Sequence, residues 1–147
     1  MNRIKHAIWI VVADAERGRL LHCRRTQAGS AQVKDVDRID HSRDDYEHQR
    51  PSPRMGGTGD TQDDHEDEEE ARRFARRLAD WINRHVNRQD IPELVLFAAP
   101  RFLGTLRQLN GQSSLPDDCD LRECDLTSLT ISELTEHPRI TELLEAA

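Results

Sequence analysis

Leu94-Val95-Leu96-Phe97-Ala98 is an apolar run of strand length, set between Asp90-Ile91-Pro92 and Pro100. A strand with one wet face alternates apolar and polar side chains. An unbroken run marks a strand covered on both faces, as in sheets flanked by helices. The segment is therefore expected at the centre of a sheet, with neighbouring segments supplying the covering helices. Upstream, about Glu66 to Arg88 reads as the main helix. At about 100° per residue, Ala71, Phe74, Leu78, Trp81, Ile82 and His85 share the face expected to pack on the sheet. Glu68 with Arg72, Glu69 with Arg73 and Asp80 with Arg84 have the i,i+4 spacing of helical ion pairs. Downstream, Pro100 opens a short helix through Leu109, closed by Asn110-Gly111. Leu121 to Asp125 is a further strand candidate, and Thr130 and Glu133 have the spacing of a capping box. Pro138 starts the last helix, with Ile140, Leu143 and Leu144 facing inward.

Ahead of the main helix, Ile8 to Val12 and Arg19 to Cys23 flank the turn-prone Asp14 to Gly18, which reads as a hairpin. Val33 to Ile39 places Val33, Asp35, Asp37 and Ile39 on one side and Lys34, Val36 and Arg38 on the other. Neither side is cleanly apolar, which an edge strand tolerates. The order β-β-β-α-β-α-β-α predicts an α/β fold, a mixed β-sheet flanked by helices. A chain of 147 residues fits a single domain, expected over 1-147. From Asp40 to about Asp64 there is no hydrophobic period, and the segment is expected to be a long mobile loop, at about 40-65.

No apolar run approaches the roughly 20 residues that span a bilayer, so membrane insertion is not expected. Arg3 and Lys5 ahead of Ile8 to Val12, with Ala13-Asp14-Ala15 behind, imitate an export signal. Cleavage there would delete the first strand, so a cytoplasmic place is expected. Cys23, Cys119 and Cys124 lack the spacing of a zinc site and read as packing residues in a reducing compartment.

The net charge of -7 excludes a uniformly basic nucleic-acid binder, but the charge is laid out in blocks. Asp60 to Glu70 holds eight carboxylates and no Lys or Arg, while residues 71–110 hold eight basic and three acidic groups. On the helix wheel Arg73, Arg77, Arg84 and Arg88 fall within about 60° of one another, interrupted by Asp80. Such a stripe can track a phosphate backbone. The alternative is intrahelical pairing with Glu69 and Asp80. Arg50 and Arg54 would extend the stripe if the loop folds back. His41, His48 and His65 share the loop with Asp44, Asp45 and Glu47, but their spacing matches no rigid metal site. No metal or cofactor is expected.

Trp9 to Ala15 followed by Arg17-Gly18-Arg19-Leu20-Leu21, then Phe74 to Ala79, Leu94 to Gly104, and Asp125 to Leu129 with Glu133-Leu134, resemble the bacterial host attachment protein family. The match runs over most of the chain. That family is similar to the middle domain of archaeal and eukaryotic class I peptide release factors and of Pelota. The resemblance implies a three-layer RNase-H-like fold. In the release factors, a loop ahead of the main helix carries a Gly-Gly-Gln tripeptide that positions water for peptidyl-tRNA hydrolysis. At the corresponding place this chain has Gly56-Gly57-Thr58. Threonine cannot supply the amide, and Gln62 stands several residues away, so Pelota is the better analogue.

The resemblance implies a non-enzymatic translation-related module that binds RNA or the ribosome, with Arg54, Gly56, Gly57 and the arginine stripe as its contacts. Attachment or surface growth through a protein partner is the alternative. A metal-dependent nuclease is a further one, with Asp14 at the end of the first strand as one ligand, although Leu94 to Ala98 provides no second acid and Asp35 and Asp37 sit on a different strand. Turn preferences favour Asp14 as a turn residue instead. No residue is framed as a catalytic nucleophile, Ser42 and Ser52 included.

Overall fold

The computed structural model describes residues 7–27, 29–40, 60–109 and 114–146, with the backbone alone for residues 60–67. The chain builds β1 (Ala7–Ala13), β2 (Arg17–Arg25), β3 (Ala31–Asp40), α1 (Asp60–Gln89), β4 (Leu94–Ala98), α2 (Pro100–Arg107), β5 (Cys119–Glu123), α3 (Ile131–Glu136) and α4 (Pro138–Ala146). The strands form one mixed sheet in the order β3-β2-β1-β4-β5. The β1–β2 and β2–β3 pairs are antiparallel, and the β1–β4 and β4–β5 pairs are parallel. The α/β class and the edge position of β3 are as expected.

Three expectations are corrected. The middle place belongs to β1, with β4 beside it, because β1 is the strand paired to both the hairpin and the parallel half. α1 starts at Asp60, six residues before the expected Glu66. Asp60 to Asp64 are thus helical. The remainder of the expected loop, 41–59, lies outside the described residues. The last helix starts at Pro138 as expected, but the order gains a helix before it: α3 stands apart from α4 at His137, whose ψ of 132° is the extended backbone required before a proline.

Alternation along β1 divides the core. Val11 and Ala13 face α1 and α2, in a cluster with Phe74, Leu78, Ile82, Leu96 and Phe102. Ile10 and Val12 face α3 and α4, in a second cluster with Leu21, Cys23, Phe97, Leu134, Ile140 and Leu144. Helices therefore cover both faces. The expected face of α1 is the packed one: Phe74, Leu78, Trp81, Ile82 and His85 are all buried. Gly18 lets α1 approach β2, since a Cβ there would stand 2.8 Å from Leu78 Cδ1 and 3.2 Å from Ile39 Cγ2.

β3 carries an irregularity that simple alternation misses. Leu20 is opposite Asp37 and Leu21 is opposite Asp35, so Val36 is the extra residue of a β-bulge. A bulge shifts the strand's phase by one. Asp35 consequently reaches Arg19, on the side of α3 and α4, while Asp37 reaches Trp81 and His85 of α1.

Candidate functional site

The arginine stripe lies on the accessible side of α1. Arg73, Arg84 and Arg88 are exposed, as is the intervening Asp80, while Arg77 is half-buried. The expected i,i+4 pairs are not formed within 4 Å; Glu69 instead meets Arg72, at 3.3 Å and i,i+3 spacing. Among the described residues, Arg73, Arg84 and Arg88 thus keep no carboxylate partner. Arg54, Gly56 and Gly57 lie outside the described residues.

On the opposite face of the sheet, a polar junction joins the hairpin to the segment after β5. Asp14 Oδ1 accepts hydrogen bonds from the backbone N–H groups of Glu16 (2.8 Å) and Arg17 (3.0 Å), which is the turn role expected for it. Its other oxygen lies 2.9 Å from Thr127 Oγ1, which is also 2.9 Å from Asp125 Oδ1. A hydroxyl has one proton, so the two carboxylates share it. Next to them Arg19, only 8% exposed, donates to the carbonyls of Thr127 (3.1 Å) and Leu129 (2.7 Å) and to Asp35 Oδ2 (3.3 Å). Arg38 reaches the same Asp35 oxygen at 3.4 Å. The sequence reading missed this junction. Its one signal is a charge inside the run Gly18 to Cys23, at a place whose alternation partner Leu21 is buried, because a charge facing the core needs partners.

Under α1, Asp37 gathers a second set of partners. Its Oδ2 accepts from Trp81 Nε1 at 3.2 Å and lies 2.8 Å from His85 Nε2. His85 Nδ1 lies 3.2 Å from Gln89 Nε2. Burial pushes the Asp37 carboxyl up. The hydrogen bonds from His85, the Arg38 backbone N–H and Trp81, with the His85 charge, outweigh burial and hold it below its usual value.

With this geometry in view, one comparison decides the affiliation. A family model described as "Protein required for attachment to host cells" matches residues 9–137, most of the chain. The chain belongs to this host-attachment family. A search of the curated proteins finds no match. The span shared with the host-attachment family runs from Trp9 in β1 to His137 after α3, and so contains both halves of the polar junction and the whole of α1. α4 follows it.

Asp35 and Asp37, which a shared metal site would need on one side, are turned to opposite faces by the bulge. Among the described residues no group of three or more His, Cys, Asp or Glu is placed to hold a metal ion. Burial pushes the Cys23 thiol up to about 12, and burial with the Asp120 charge does the same for Cys119. Both thiols are protonated at neutral pH and poor nucleophiles. No helix among the described residues is long and apolar enough to cross a membrane.

Proposed function

We propose that this protein serves attachment to host cells as a binding protein rather than an enzyme. The family match over residues 9–137 carries the reading. The two protonated thiols, and the β3 carboxylates Asp35 and Asp37 that accept hydrogen bonds from their own chain, agree with a role in binding. The test is genetic: cells that lack the protein are scored for attachment and then complemented with the wild-type chain. Reduced attachment, restored by complementation, is expected, whereas attachment that does not depend on the protein overturns the reading.

A second reading explains how a cytoplasmic protein would act on attachment indirectly, by binding RNA or the ribosome. The observation that favours it is the exposed set Arg73, Arg84 and Arg88, which have no carboxylate partner among the described residues. Guanidinium groups bind phosphate oxygens in pairs, so arginine suits such a contact better than lysine does. The resemblance to the middle domain of release factors and Pelota adds to it. Sedimentation with ribosomes and filter binding to RNA at low salt test it. Loss of association in Arg73→Glu/Arg84→Glu, with an unchanged melting curve, is expected; no association of the wild-type chain at low salt overturns it.

A further inference from the structure

The register of the hairpin sheet adds a second basic element to the one on α1. Trp9 is opposite His22 and His22 is opposite Lys34, while the next pair on the same face is Arg24 with Gln32. Arg24 and Lys34 are exposed, and a cavity of about 410 Å³ lies between them, lined by His22, Arg24, Gln32, Val33 and Lys34. That lining contains no carboxylate, and Arg24 Nε is engaged only by the neutral Gln32 amide, at 3.2 Å. Burial, followed by the charges of Arg24 and Lys34, holds the His22 imidazole below its ordinary pKa. Among the described residues no carboxylate lines this cavity to neutralise its positive charge.

The course of α1 relates the two elements. Leu78 touches Gly18, and a turn later Trp81 and His85 hold Asp37, further along β3 toward Lys34. From Leu78 to His85 the helix thus advances along the sheet in the direction of His22 and Lys34, and Arg88 lies one turn further on. From Arg73 to Arg88 the helix rises about 22 Å at 1.5 Å per residue. A small anion would use one point on such a line, whereas a polymer of phosphates would use its length.

We propose that His22, Arg24 and Lys34, on the part of the sheet toward which α1 runs, form the terminal contact of a single-stranded nucleic acid laid along the α1 stripe. This rests on the nucleic-acid reading of α1 and adds the strand residues to it. Arg24 and Lys34 each neutralise one phosphate, and the Trp9–His22 ring pair, with centroids 4.5 Å apart, lies beside them as a built-in reporter.

The experiment uses the full chain, a labelled oligouridylate and an oligothymidylate of the same length, and the substitutions Arg24→Gln and Lys34→Gln together. Both side chains are exposed, so melting should be unchanged, and a melting curve checks this. Two lost phosphate contacts reduce the slope of log K against log salt by about 1.4. Affinity at low salt is expected to fall at least tenfold, and in a Trp81→Phe background the Trp9 emission should change on binding. Preference for one oligomer identifies the strand as RNA or DNA. If Arg84→Gln/Arg88→Gln weakens binding while the strand pair leaves it unchanged, this inference falls and the α1 reading survives. If neither oligomer binds the wild-type chain at low salt, both fall.

Discussion

Arg19 is held by three oxygens, and it in turn holds the turn after β5. Its Nε and the Oδ1 of Asp35 are buried without a hydrogen-bond partner, so the pair is imperfectly satisfied. Arg19→Leu should destabilise the protein by about 2–4 kcal/mol, because hydrogen bonds to a charged donor are lost and Asp35 keeps only the exposed Arg38, at 3.4 Å. Adding Asp35→Leu should restore part of that loss, since an apolar pair of similar size avoids the uncompensated charge. Denaturant unfolding of the two variants checks this, and a double variant no more stable than Arg19→Leu alone would contradict it. His22 makes a second prediction. Its folded pKa lies below 6.5, so on acidification the unfolded chain takes up the proton first. The stability it contributes is complete above pH 6.5 and is lost as the pH falls through the folded value. Asp37, also lowered from 3.8, behaves alike in a more acidic window. Melting temperature should therefore decline between pH 7 and pH 5, and His22→Phe should flatten that decline. An equal decline in the variant would assign the proton uptake to another group.

At the scale of the element, local signals were read well and pairing signals were not. The capping box of α3 is formed as expected, with Glu133 N–H donating to Thr130 Oγ1 at 3.1 Å and Thr130 N–H to Glu133 Oε1 at 2.9 Å. Both groups lie within one turn, so four residues contain all the information. The end of α1 is equally local but was not noticed. Asp90 takes φ 55° and Ile91 N–H bonds Val86 O at 3.1 Å, which is a Schellman closure with aspartate where glycine is usual. Asp90→Gly should raise stability by up to about 1 kcal/mol, because it relieves a left-handed conformation that L side chains resist. An unchanged or lowered melting temperature would show that the Asp90 side chain offsets the strain. β3 is the contrary case. Its alternation placed Asp35 and Asp37 on one side, but the bulge at Val36 separates them.

For the whole molecule, the -7 total conceals blocks of opposite charge. Residues 111–147, which form β5, α3 and α4, carry nine acidic and two basic groups, and the start of α1 is acidic as well, while residues 71–110 carry eight basic and three acidic groups. The acidic block at 111–147 is also structural. Ile140 and Leu144 of α4 are 0% and 2% exposed and close the second core cluster over β1 and β2. Removing residues 138–147 should cost about 3–6 kcal/mol, at roughly 1.5–3 kcal/mol for each large apolar side chain withdrawn. That is a large share of the 5–15 kcal/mol by which domains are usually stable. The truncated chain should melt far lower, and an unchanged melting temperature would show that α4 is dispensable. The sequence by itself determined the α/β class, the buried strand, the packed face of α1 and the arginine stripe, because periods of 2.0 and 3.6 residues and turn chemistry are local properties. Only the tertiary structure decided what meets across long separations: Arg19 with Thr127 and Leu129, Asp37 with Trp81 and His85, and the row from Trp9 through His22 to Lys34. Those meetings depend on strand register, one bulge and the path of a helix over a sheet, which no stretch of sequence specifies alone.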